Sequence, residues 1–161
     1  MTIRTLIVDD EPLAIERLQM LCAREPRLSL AGTASDGEAA LRLIRGLTPD
    51  LVLLDIAMPL LDGLGVARAA AELAIRPAVI FVTAFEGFAI EAFDLAAIDY
   101  LLKPVAPDRL ARAIDRAELA LHSRQSPAPA TAAPAEPDWA EEFWVPHRSE
   151  LIRIGAARLT G

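Results

Sequence analysis

The sequence predicts an α/β protein built on one parallel β-sheet with helices on both faces. Three observations predict it. Five short apolar runs, each about as long as a strand, recur within residues 1–122. These runs are apolar throughout rather than alternating, as strands covered on two faces are. Between them lie stretches whose apolar residues repeat at helical spacing. With 161 residues, 53% apolar and 24% charged, the chain is globular, with room for one domain and a piece of another.

Leu6-Ile7-Val8 is the first strand, and it runs straight into Asp9-Asp10-Glu11. Pro12 opens the first helix, and Leu13, Leu18, Leu21 and Cys22 form its apolar stripe. Leu28 to Ala34 is the second strand. Ser35 or Asp36 caps the second helix, which carries Ala40, Leu43, Ile44 and Leu47. Leu51 to Leu54 is the third strand, ending at Asp55. Asp62-Gly63 precedes a third helix over Val66 to Leu73. Val79 to Val82 is the fourth strand, followed by Thr83, and a short fourth helix spans about Gly87 to Leu95. Tyr100 to Leu102 is the fifth strand, followed by Lys103-Pro104. The fifth helix starts near Pro107-Asp108, with Leu110, Ile114, Ala117 and Leu121 on one face.

The composition then changes. Residues 123–138, SRQSPAPATAAPAEPD, hold four prolines and no large apolar residue, and read as an extended linker. Residues 139–161 read as two short strands, Phe143 to Val145 and Glu150 to Ile154, around a turn at Pro146 to Ser149. Two strands are too few to stand alone.

Net charge is −7, of which residues 1–122 carry −6 and residues 123–161 carry −1. An acidic first unit is a poor match for nucleic acid, which selects basic surfaces. The lone cysteine, Cys22, excludes an internal disulfide and a cysteine metal cage and reads as a packing residue. No apolar run approaches the ~20 residues of a membrane span. The early Asp9 and Asp10 do not suit a signal peptide, so a cytoplasmic location without membrane contact is expected.

In open parallel sheets, ligands bind beyond the carboxyl ends of the strands. That edge collects Asp9, Asp10, Glu11, Asp55, Thr83 and Lys103. Clustered carboxylates repel, and a hard divalent cation or an ammonium group relieves them. The set suits phosphoryl transfer to a carboxylate. Asp55 is the natural nucleophile, Asp9 and Asp10 hold a metal, Thr83 donates its hydroxyl to a phosphoryl oxygen and Lys103 pairs with another. Singly, each residue is as easily a cap, a strand residue or a surface charge. It is their shared edge that points to a site.

The stretches LIVDDEP (6–12), LVLLDIAMPLLDG (51–63), VIFVTAF (79–85) and DYLLKP (99–104) resemble the receiver domain of two-component response regulators. The steps of 45, 28 and 20 residues from Asp10 through Asp55 and Thr83 to Lys103 fit as well, and the resemblance covers residue 3 to about 121. It implies a flavodoxin-like (βα)5 fold with strand order 2-1-3-4-5 and a receiver over residues 1–122. Asp55 would accept phosphate from a sensor histidine kinase. Asp10 and Asp55 would ligate Mg²⁺ directly, with Asp9 completing the acidic pair and the Ala57 carbonyl as a third protein ligand. Thr83 and Tyr100 would be the switch pair, with the Tyr100 ring turning inward as Thr83 moves. Lys103 would bind phosphate and form a cis bond to Pro104. Such a domain is a signalling switch that catalyses only its own phosphorylation and dephosphorylation.

A homodimer through the fourth helix, fifth strand and fifth helix is expected, because Phe88, Ile90, Phe93, Leu95 and Ala97 are more apolar residues than so short a helix must bury inward, ordinary core being the alternative for some of them. Ala57 and Phe85 depart from the usual pattern. Neither can position an attacking water, so slow loss of phosphate is expected. FWVPHRSELIRI resembles the opening of a LytTR-type DNA-binding domain, which residues 139–161 would begin and not complete. DNA would be bound by the full output domain, not by this fragment. Three rivals are weaker. An aspartyl-nucleophile phosphatase needs a second Asp two residues beyond its first-strand nucleophile. A flavodoxin-like cofactor binder needs a Ser-, Thr- or Gly-rich first loop. A module that has lost phosphorylation has no need of the intact set.

Overall fold

The computed structural model describes residues 2–125. The order is β1 (Ile3–Val8), α1 (Pro12–Ala23), β2 (Leu28–Ala34), α2 (Gly37–Leu47), β3 (Leu51–Leu54), α3 (Gly63–Ala71), β4 (Ala78–Thr83), α4 (Ala89–Asp94), β5 (Asp99–Leu102) and α5 (Pro107–Gln125). The strands form one parallel sheet in the order β2-β1-β3-β4-β5. This is the flavodoxin-like arrangement expected from the sequence.

Side chains alternate across each strand, so the sheet divides the interior into two cores. Leu6, Val8, Val52, Leu54, Phe81 and Tyr100 face α2, α3 and α4, where they meet Ala40, Ile44, Val66 and Ala92. Ile7, Leu51, Leu53, Ile80, Val82 and Leu101 face α1 and α5, where they meet Leu18, Cys22, Leu110, Ile114 and Ala117. Chain connections run outward in both directions from the β1–β3 pair, and that reversal opens a crevice at their carboxyl ends.

Local chemistry sets the helix starts. Asp36 caps α2 by accepting from the Ala39 amide at 2.8 Å, and Asp62 caps α3 by accepting from the Gly65 amide at 2.8 Å. Gly63 admits no side chain, because a Cβ there would lie 2.1 Å from the Asp55 carbonyl oxygen. Its amide donates to the Ile56 carbonyl at 2.9 Å. The start of α3 is therefore pressed against the exit of β3.

The structure corrects several local expectations. Leu13 is 79% exposed, and Ile15 packs on the core in its place. Leu13 lies five residues before Leu18, roughly 140° around the helix from it. The second strand is not covered on both faces. β2 is an edge strand, buried at Leu28 and Ala34, with Leu30 exposed. β1 begins at Ile3, α3 begins at Gly63 and ends at Ala71, and α4 is confined to Ala89–Asp94. α5 continues through 123–125, into the stretch read as linker. The strands expected in 139–161 lie outside the described residues.

Candidate functional site

Backbone hydrogen bonds carry the sheet ladder one residue past the strand ends and fix the site residues. The Asp9 amide donates to the Ala34 carbonyl at 3.1 Å, the Asp55 amide to Val8 at 2.9 Å and the Lys103 amide to Thr83 at 2.9 Å. Asp9, Asp55 and Thr83 are buried, whereas Asp10 and Glu11 are exposed at the mouth. One carboxylate oxygen from each of Asp9, Asp10, Glu11 and Asp55 lies within 4.8 Å of the others.

Lys103 is the counter-charge. Its Nζ donates to Asp9 Oδ2 at 2.7 Å and lies 3.5 Å from both Asp55 Oδ2 and Glu11 Oε1. Burial would lower the Lys103 pKa, but the hydrogen bond to Asp9 and the charges of Asp55, Asp9 and Glu11 outweigh it and hold the ammonium protonated. Asp55 is pushed up, first by burial and then by the charge of Asp9. Lys103, the Thr83 hydroxyl and the Ala57 amide pull it the other way. Its Oδ1 is nonetheless buried without a hydrogen-bond partner.

That orphaned oxygen tests whether a metal fits. A buried acceptor left unmade is costly, and here it stands among three further carboxylates with a single ammonium. An all-oxygen, strongly anionic donor set suits a hard divalent cation such as Mg²⁺.

Thr83 is fully buried, and its Oγ1 accepts from the Phe85 amide at 3.4 Å. Tyr100 is also fully buried. Its hydroxyl donates to the Phe85 carbonyl, and its ring lies 6.5 Å from that of Phe81. Burial pushes the phenol up to about 12, with Glu91, Glu86 and Asp55 adding to the rise against the Phe88 amide. Ala57 and Phe85 are exposed beside the pocket. The Lys103–Pro104 bond is cis.

The structure thus brings Asp9, Asp10, Asp55, Thr83 and Lys103 to one pocket, with Ala57 at its rim and Tyr100 behind Thr83. It adds Glu11 to the ion-pair set, a residue legible as the third acid after β1. It also adds Gly63, which backs Asp55. The motif over 51–63 contains Gly63, but its contact with Asp55 is tertiary and no local pattern marks it.

A doubly wound α/β fold that gathers an acidic pocket, a buried aspartate and a lysine at its switch point is the arrangement that the sequence led us to expect of a receiver domain. Comparison with known proteins makes this specific. The chain belongs to the response regulator receiver domain family, whose profile matches residues 5–115. It is 54% identical over 113 residues to the positive alginate biosynthesis regulatory protein of Pseudomonas aeruginosa, covering 70% of this chain and 46% of that one. It is 40% identical over 114 residues to the transcriptional regulatory protein BtsR of Salmonella typhi, covering 71% and 47%. The response regulatory domain of mrkE from Klebsiella pneumoniae superposes with a TM-score of 0.69 at 32% identity, covering 74% of this chain and 98% of that domain. The chain spans about half the length of the curated relatives it matches. No helix among the described residues is long and apolar enough to cross a membrane.

Proposed function

We propose that Asp55 is the phosphoacceptor of a two-component response regulator and receives its phosphoryl group from a sensor histidine kinase. The observation that carries this reading is Asp55 Oδ1, a buried carboxylate oxygen without a partner, held 3.5 Å from Lys103 by its other oxygen. The backbone fixes that oxygen at the carboxyl end of the central strand, so attack needs little reorganisation.

Asp10 and Asp55, with the Ala57 carbonyl, would hold Mg²⁺, and Asp9 would support them. When bound, the ion neutralises charge that develops on the transferred group. Lys103 is released from part of its carboxylate pairing to meet a phosphoryl oxygen, and the Thr83 hydroxyl donates to another. Because the Phe85 amide bonds Thr83 and the Phe85 carbonyl accepts from Tyr100, a shift of Thr83 reaches the start of α4 through one residue. The readout is a changed face of α4, β5 and α5, through which two copies pair. In the full protein this would control a LytTR-type DNA-binding domain that begins within 139–161, after a linker, in the cytoplasm. Ala57 and Phe85 give water no base at the acyl phosphate, so the label persists for minutes rather than seconds.

Intact mass after incubation with Mg²⁺ and acetyl phosphate tests the assignment. A gain of about 80 Da, one HPO₃, is expected in the wild type and not in Asp55→Ala. A gain in both proteins places the phosphate on another residue. A gain in neither makes the domain a phosphorylation-independent module.

A further inference from the structure

At the edge of the sheet opposite the acidic pocket, a groove of about 180 Å³ opens between α3, β4, the end of α4 and the last turn of α5. Most of its lining residues are apolar, Ala67, Ala70, Phe81 and Leu95 among them, and about half of its surface is polar. Two charged residues line it, Arg76 and Arg124, and no carboxylate does. They are brought together by the Arg124 guanidinium, which donates to the Arg76 carbonyl at 2.9 Å. Burial and then the charge of Arg76 both lower the Arg124 pKa, the direction for a cation short of counter-charge.

We propose that this groove is the docking site of the chain's own segment Trp139–Trp144, WAEEFW. An aromatic ring of the segment fills the apolar floor, and Glu141 and Glu142 meet Arg76 and Arg124. Three features choose this occupant. Arg124 lines the groove and is the penultimate residue of α5, so the chain leaves the described region at the groove itself. Residues 126–138 then reach up to about 40 Å if extended as polyproline II, enough to turn back over a rim that starts beside them. Within 126–161, this segment sets two adjacent acids between aromatic residues, matching a groove that pairs an apolar floor with two cations. The contact does not depend on phosphoryl chemistry at Asp55. It ties the chain beyond α5 to Leu95, the residue that caps the end of α4.

Trp139 and Trp144 are the chain's two tryptophans, so the intrinsic fluorescence of the 161-residue protein reports on this segment alone. Blue-shifted emission and weak acrylamide quenching, unchanged over a wide range of protein concentration, are expected. In Arg76→Glu/Arg124→Glu the emission moves to that of exposed indole and the quenching constant rises several-fold, with the far-UV spectrum unaltered. Adding Glu141→Lys/Glu142→Lys to that variant restores the shielding, which a variant that merely misfolds would not do. Exposed-indole emission in the wild type overturns the proposal, as does shielding that the arginine changes leave intact. Shielding that appears only as concentration rises assigns the groove to a second copy's segment and overturns the intrachain contact.

Discussion

At the scale of single residues, the clearest feature is a carboxylate that the fold disfavours. Burial and Asp9 raise the Asp55 pKa, so the folded state holds that proton more tightly than the unfolded chain does. Its contribution to stability is present at acid pH and is lost as pH rises from the ordinary carboxylate value through the folded one. Asp55→Asn removes the charge and keeps the shape. Without divalent cations at neutral pH it is expected to melt above the wild type, and an equal or lower Tm would contradict this reading of the pocket. Cys22 behaves alike, and for the same reason. Burial, with Glu25 adding, pushes its thiol from 9.0 to about 11. Stability should therefore fall between about pH 9 and 11, and urea titrations of Cys22→Ala should lose part of that slope. Leu60 shows a backbone cost. It is fully exposed with φ at 67°, in the left-handed region. Leu60→Gly gives up no packing and should gain roughly 0.5–1 kcal/mol in chemical denaturation, after the added chain entropy is subtracted.

At the scale of elements, α5 is bolted to β5 through one buried carboxylate. Asp99 accepts from Arg109 through both oxygens, at 2.7 and 2.8 Å, and from Arg116 at 2.6 Å. The two arginines stand two helical turns apart, so one side chain fixes both the register and the tilt of the helix. Asp99→Asn leaves both cations short of their partner and should cost about 3 kcal/mol in urea denaturation, where a loss below ~1 kcal/mol would show the clamp to be dispensable. This clamp was not legible in the sequence, because Asp99 looks like any acid before an apolar run and its partners come later in the chain. The strands and helices were legible wherever burial enforces a pattern, and the acidic edge was legible because the fold rule gathers strand ends. Legibility failed where the decision is tertiary. Leu30 is exposed because β2 has a neighbour on one side only, and Gly63 matters because Asp55 lies behind it.

At the scale of the whole molecule, four clustered carboxylates and one lysine leave an excess of negative charge at one end of the sheet. A cation that binds only the folded state must raise stability by mass action, by about 2.7 kcal/mol at a hundredfold excess over its Kd. Millimolar Mg²⁺ is thus expected to raise Tm in the wild type and much less in Asp10→Asn, and calorimetry with and without chelator would show it. The pocket also has two unlike sides. On one, Gly63 is packed so tightly on the acceptor's own backbone that not even a methyl group fits. On the other, two hydrogen bonds link Thr83, Phe85 and Tyr100. The pocket is a vice with one jaw cast into the bench and the other on a slide. On the proposed reading, the close contact at Gly63 leaves α3 little room to yield, and the path through Phe85 towards α4 is the one that would move. Amide exchange should reveal that division directly, slow at Asp55 and Gly63, whose amides are hydrogen-bonded beside the pocket, and fast from 84 to 88.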